Sequence, residues 1–195
     1  MSEETKPYHP WFTILIAIVI VAAATAAYVY FGRIPTPYSG QVLSLNIYPI
    51  HQNLDAPATI GGIGGHGDVF DEILVLADVR IKNVAKIPLY LDDMAAITSF
   101  PGATDHSAGA SDSDFNKLFI AYRGLDKYRK PPLRRNITLQ PGQQVEGLII
   151  FSYQMDQAKW NTNTGMDIQV SFIHQNPLIL HQNPLILRIA AATSH

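Results

Sequence analysis

The sequence predicts an all-β body, an antiparallel sandwich over residues 40–190, carried behind one amino-terminal transmembrane helix. Three observations predict it. Trp11 to Phe31 is an uncharged apolar run of 21 residues. Beyond it the apolar periodicity changes from continuous to two. The period-two segments are short and separated by turn-rich stretches, which is the pattern of a sandwich.

The apolar run comes first. At ~1.5 Å per residue it matches the ~30 Å hydrocarbon core of a bilayer. Trp11 and Phe12 stand at one end and Tyr28, Tyr30 and Phe31 at the other, where amphipathic rings favour the headgroup level. Pro10 precedes the run, and Gly32-Arg33-Ile34-Pro35 ends it. A cleaved signal peptide is the competing reading, with Ala24-Thr25-Ala26 as the cleavage site. Against it, MSEETK is not a basic leader, and the apolar run continues past that site. The division expected is a short cytoplasmic head (1–10), the helix (11–31), a proline-stiffened linker (32–39), the sandwich (40–190) and a tail (191–195). The short head places the amino terminus in the cytoplasm and the body outside, in the periplasm at the inner membrane.

The strands follow in order. Leu43, Leu45 and Ile47 alternate with Ser44 and Asn46. Ile73, Val75, Ala77, Val79 and Ile81 share one face of a second segment, with Asp78, Arg80 and Lys82 on the other. Met166, Ile168, Val170 and Phe172 alternate with Asp167, Gln169 and Ser171. Ile87–Ile97, Leu118–Tyr122, Arg135–Leu139 and Val145–Tyr153 complete seven strands. No second amphipathic helix is expected, beyond one turn at Met155–Trp160. His174 to Leu180 repeats without change as His181 to Leu187. Because the offset is odd, a turn or bulge must separate the copies or one copy is surplus. Pro177 and Pro184 confine the segment to an edge or a loop.

Composition excludes several classes. Charged residues are only 15% and hydrophobic ones 47%, so the chain is not a disordered polyelectrolyte. A net charge of −2 gives no reason to expect nucleic acid. The absence of Cys removes disulfides, thiolate catalysis and cysteine-bound metals. No nucleophile elbow or HExxH helix is present, so neither catalytic residues nor a cofactor is expected.

Gln140-Pro141-Gly142-Gln143 is a Pro-Gly turn leading into Val145–Phe151. Asn83, Leu139, Pro141, Gly142, Gly147 and Phe151 lie in an order that resembles a bacterial family. That family comprises membrane-tethered, immunoglobulin-like extracytoplasmic domains of unknown function, related in fold to secreted mycobacterial immunoprotective antigens. The resemblance covers about residues 40–175. It implies an immunoglobulin-like sandwich held near the membrane as a binding or sensory accessory, and it carries over no catalytic residue.

Three segments invite chemistry. The glycine-rich string Gly61–Gly67 is read as an inter-strand loop, because no helix follows to orient a phosphate. Asp105, His106, Asp112 and Asp114 share a polar insert and are the candidate ligands for Ca²⁺ or a transition metal. Arg123, Lys127, Arg129, Lys130, Arg134 and Arg135 are six of the 14 basic residues, interleaved with Tyr122 and Tyr128 against one acid, Asp126. With Tyr128 they form the candidate surface for an anionic headgroup, a polyanionic glycan or an acidic envelope partner. The plain alternative is a solvated loop stiffened by Pro131-Pro132. The functional expectation is a non-enzymatic binding domain for an envelope protein or anionic surface; the competing one is a small-ligand or metal sensor using the acidic insert.

Overall fold

The computed structural model describes residues 10–31, 36–54 and 68–187, in two compact units, Met1–Thr36 and Pro37–His195. Residues 1–9 of the head, the Gly32–Pro35 part of the linker, the Gly61–Gly67 loop, residues 188–190 of the expected sandwich and the tail lie outside the described residues.

In the first unit, helix α1 spans Pro10–Phe31. It starts at the proline itself, whose missing N–H is one of the donors a helix start leaves unpaired anyway. The hydroxyl of Thr25 donates to the Val21 carbonyl at 2.8 Å, so it is satisfied within the helix. Trp11 and every side chain from Ile14 to Val29 are exposed. Among the described residues, no helix is long and apolar enough to cross a membrane.

The second unit is built from two antiparallel sheets. The first contains β1 (Tyr38–Leu54), β2 (Asp68–Asn83) and β6 (Gln144–Tyr153), in the order β1-β2-β6. The second contains β3 (Leu89–Phe100), β4 (Ala103–Ala108), β7 (Gly165–Phe172) and β8 (Leu178–Gln182), in the order β4-β3-β7-β8. A short β5 (Ile137–Leu139) pairs with the start of β3. β1 touches β8 and β4 touches β6 across the gap between sheets, which shields the open edges.

The expected inward face of β2 is the core. Ile73, Val75, Ala77, Val79 and Ile81 pack against Leu91, Met94 and Ala96 of β3 and Ile168, Val170 and Phe172 of β7. Trp160, fully buried in the turn of helix α3 (Gln157–Trp160), closes one end against Tyr153 and Phe100. At the other end Asn83 joins two corners. Its Nδ2 donates to the carbonyls of Ile87 (2.9 Å) and Leu139 (2.8 Å), and its Oδ1 accepts from Ala85 N–H at 2.9 Å. Its main chain bonds Gln143 and Gly142 of the Pro-Gly turn, where Gly142 has φ +78°. Four of the motif positions named above, Asn83, Leu139, Pro141 and Gly142, therefore meet at one structural joint.

Three expectations are corrected. Leu118–Tyr122 is not a strand. Asp112–Ala121 forms helix α2, capped by Ser111, whose hydroxyl accepts from Asp114 N–H. This is a second amphipathic helix, with Phe115 and Phe119 one turn apart on its buried side. The polar stretch Ala103–Ala108 is strand β4, and β8 is an additional strand, so the strands number eight among the described residues.

The physical reason for α2 lies on β2. Leu74 and Leu76 point away from the inter-sheet core, yet both are fully buried. With Leu148, Ile150 and Ile50 they form a second apolar cluster, covered by Phe115, Phe119 and Leu125. The unbroken apolar runs Ile73–Ala77 and Leu148–Phe151 belong to strands buried on both faces, and α2 provides the cover.

The duplicated heptapeptide divides. His174–Pro177 of the first copy makes the turn after β7, with His174 at φ +59°, and Leu178–Leu180 enters the edge strand β8. In the second copy His181 and Gln182 finish β8, and Pro184–Leu187 forms the helical turn α4. Leu187 is fully buried, and its carbonyl accepts the Trp160 indole N–H at 2.7 Å. The expected intervening turn is thus a change of secondary structure at the second Asn-Pro.

Candidate functional site

The basic residues fall in an insert that leaves the second sheet after β4 and rejoins it at β5. Gly109 N–H donates to the Met94 carbonyl and Ala110 N–H to that of Ile150, both at 2.8 Å, which starts the insert between the two sheets. After α2, a 3₁₀ helix over Arg123–Tyr128 buries Leu125. The chain then returns along β6, where Leu133 N–H donates to Leu148 O (3.0 Å) and Leu148 N–H to Pro131 O (2.9 Å). Gly147 makes this possible. A Cβ there would stand 2.5 Å from both the Cα and the N of Leu133.

The structure sorts the seven partner-binding candidates into two groups. Arg135 and Lys130 hold the insert in place. Arg135 donates through Nε to Asp93 at 2.7 Å, and its terminal nitrogens reach the carbonyls of Gly109 and Ala110. One guanidinium thus ties the end of the insert to its beginning. Burial alone would push the Asp93 carboxyl up; the Met94 N–H and the Arg135 guanidinium outweigh it and hold it below its ordinary value. Lys130 bonds Asp78 of β2, which is 4% exposed.

The others face solvent or lie across rings. Arg129 sits over the Phe119 ring, 5.1 Å from its centroid, and 3.9 Å from Asp126. Lys127 sits 4.7 Å from the centroid of Tyr128, which itself packs on the second apolar cluster. Such contacts hold a cation against a surface without neutralising it. Arg123 and Arg134 are exposed and make no ion pair among the described residues. Four cations, Arg123, Lys127, Arg129 and Arg134, are therefore displayed on an insert pinned from beneath.

The four metal-ligand candidates do not converge. Asp105 and His106 are successive residues of β4 and point to opposite faces, and Asp105 is occupied by the His106 N–H at 2.8 Å. Asp112 and Asp114 lie in the first turn of α2, where carboxylates complement the helix dipole. The Ser111 hydroxyl and then Lys117 hold the Asp114 carboxyl below its ordinary value. Among the described residues, no three His, Asp or Glu side chains come together as a cation site. Two exposed His–Asp pairs do form across strands, His51 with Asp71 and His181 with Asp167, each at 2.6 Å. Sequence reasoning passed over both, because each pair unites separate strands.

No protein-family model matches the chain, and no curated protein does. Among solved structures it is similar to a functionally unknown protein from Listeria monocytogenes EGD-e, at 13% identity and a TM-score of 0.38, over 68% of this chain and 64% of that one. It is also similar to a conserved hypothetical protein from Bacillus anthracis, at 11% identity and a TM-score of 0.29, over 75% and 99%. The chain thus spans under two thirds of the Listeria protein's length. Likenesses of that degree assign neither a fold family nor a function.

Proposed function

We propose that this chain is a single-pass membrane protein of the bacterial envelope whose body is an immunoglobulin-like, non-enzymatic binding domain on the extracytoplasmic side. On this reading it belongs to the membrane-tethered family that its Asn83 and Pro-Gly corner resembles. What supports an anchor is the composition of α1, whose 22 residues carry no charge. The observation that carries the binding role is the division of labour in the insert. Lys130 and Arg135 are committed to Asp78 and Asp93, which frees Arg123, Lys127, Arg129 and Arg134 to meet an anionic surface or acidic partner on a rigid base.

Replacing those four by Gln tests the role without touching the pins. Each cation at an anionic surface adds ~1 kcal/mol at low salt, so the variant should lose most of its salt-sensitive binding to anionic vesicles or envelope extracts while its melting temperature holds. Binding that survives the quadruple change, or that does not weaken with salt, refutes the role. Carbonate-washed fractionation tests the anchor: the full chain should stay in the membrane pellet.

A further inference from the structure

The outer face of β2 continues past the point where the insert stops. Residues two apart on a strand share a face, so Asp78, Arg80 and Lys82 form one column. Lys130 closes that column at Asp78; beyond it the column is bare. The register places Gln41 of β1 and Glu146 of β6 on either side of Arg80, and Ser39 and Gln144 on either side of Lys82. Ser39, Gly40, Gln41, Arg80, Lys82 and Gln144 line a recess of about 280 Å³. Its lining contains two cations, three hydrogen-bonding polar side chains and no carboxylate.

Glu146 sets the geometry from just outside. Its Oε1 accepts from Arg80 Nε at 2.5 Å and from Gln144 Nε2 at 3.1 Å. This holds the guanidinium by one edge and leaves its two terminal nitrogens to other acceptors. Lys82 is exposed and makes no ion pair among the described residues. A planar fork beside a point charge, two residues apart on one strand, suits an anion with oxygens in several directions.

We propose that this recess binds a single phosphate group bearing a small polar substituent. Lys82 supplies the uncompensated charge, since Arg80 is paired with Glu146; the terminal nitrogens of Arg80 and the side chains of Ser39, Gln41 and Gln144 bond the oxygens and the substituent. The volume is of the size of a phosphate with a glycerol-sized group, and the polar side chains of the lining suit a small oxygen-rich ligand. The phosphate is either that of a lipid headgroup or that of a soluble ester. The lipid source rests on the anchored reading above; the soluble source does not.

The first experiment titrates inorganic phosphate and then glycerol 3-phosphate, at constant ionic strength, into the full chain in nonionic detergent, followed by amide NMR. Saturable shifts at Ser39, Lys82 and Gln144 in the millimolar range are expected. Lys82→Met should weaken binding about tenfold, as expected for loss of one charge-assisted contact. Lys82→Arg should retain it, and Lys127→Met should leave it unchanged. Glu146→Gln should tighten it, because it removes the competing carboxylate while Arg80 stays in place. Shifts that do not saturate, or equal losses from Lys82→Met and Lys127→Met, overturn the site.

The second experiment acetylates lysines of the full chain in nanodiscs and reads protection by mass spectrometry. Protection of Lys82 in phosphatidylglycerol discs but not in phosphatidylcholine discs assigns a lipid headgroup. Protection in phosphatidylcholine discs only on adding glycerol 3-phosphate assigns a soluble ester. Protection in neither overturns the proposal. Protection of Lys127 without Lys82 overturns the recess and leaves the insert's role standing.

Discussion

Replacing Asn83 tests how the corner end of the sandwich is held together. Its amide makes three hydrogen bonds from a side chain with no solvent exposure. Asn83→Ala strands the Leu139 carbonyl in the interior and the Ile87 carbonyl and Ala85 N–H near the surface. A buried group left unpaired costs ~1–3 kcal/mol, and a group that water can reach costs less. The sum is about 3–5 kcal/mol, a fall in melting temperature on the order of 10 °C for a domain of this size. Asn83→Asp sharpens the test. It keeps the acceptor for Ala85 but turns a carboxylate oxygen toward two carbonyls, so only the protonated acid fits. Its folded-state pKa is then raised, and the stability it contributes is present below about pH 4 and lost as pH rises through the higher folded value. The deficit of Asn83→Asp relative to wild type should therefore be larger at pH 7 than at pH 5, while that of Asn83→Ala should not change. Urea unfolding followed by the emission of buried Trp160, in a Trp11→Phe background, reads both. A cost below about 1 kcal/mol for Asn83→Ala, or equal Asn83→Asp deficits at the two pH values, refutes the reasoning.

Other outcomes follow from the same packing. Gly147→Ala drives a Cβ into the Leu133 backbone and should cost about 1–3 kcal/mol or more, with faster hydrogen exchange at Leu133 and Leu148. Lys130→Met leaves the Asp78 carboxylate buried without its partner and should cost about 2–4 kcal/mol; Asp78→Asn in the same chain should recover much of that loss in a double-mutant cycle. Burial pushes the Tyr153 phenol up to about 12 against the hydrogen bond from Thr98. Between pH 10 and 12 the unfolded chain holds fewer protons than the folded one, so stability should fall by roughly 2–3 kcal/mol, and Tyr153→Phe should flatten that fall in alkaline denaturation. Deleting His174–Leu180 leaves an identical segment to refill β8. The product should keep its strand circular dichroism, while Trp160, deprived of the Leu187 carbonyl, should change its emission.

What was legible in the sequence was what repeats locally. The period of two in Ile73–Ile81 and Met166–Phe172 appears in the structure with the same faces inward, and Gln140–Gln143 makes the turn expected of Pro-Gly. Helix α2 was hidden because its ten residues open on Asp-Ser-Asp, poor helix formers that read as polar insert or metal ligands. Its Ser111–Asp114 cap and the Phe115–Phe119 spacing were the available signals. Leu74 and Leu76 were the other clue, since apolar side chains on both faces of a strand require something to cover the second face. The division of the basic cluster could not be read at all. Lys130 finds its acid 52 residues away and Arg135 finds its acid 42 residues away, so no local spacing separates the pinned cations from the displayed ones. Nor does local sequence choose between the two Pro-Leu-Ile-Leu segments. The edge of β7 draws one into a strand, and the Trp160 indole holds the other in a helical turn.

That last contrast bears on how the molecule is measured. Any reagent that recognises the heptapeptide meets one copy running along a sheet edge and another wound against a tryptophan, so an antibody or protease reports a mixture of the two. Exchange mass spectrometry would likewise merge fragments of equal mass. Changing the exposed Ile186 to Val gives the second copy its own mass with little disturbance to packing, and lets each half of the duplication be followed by itself.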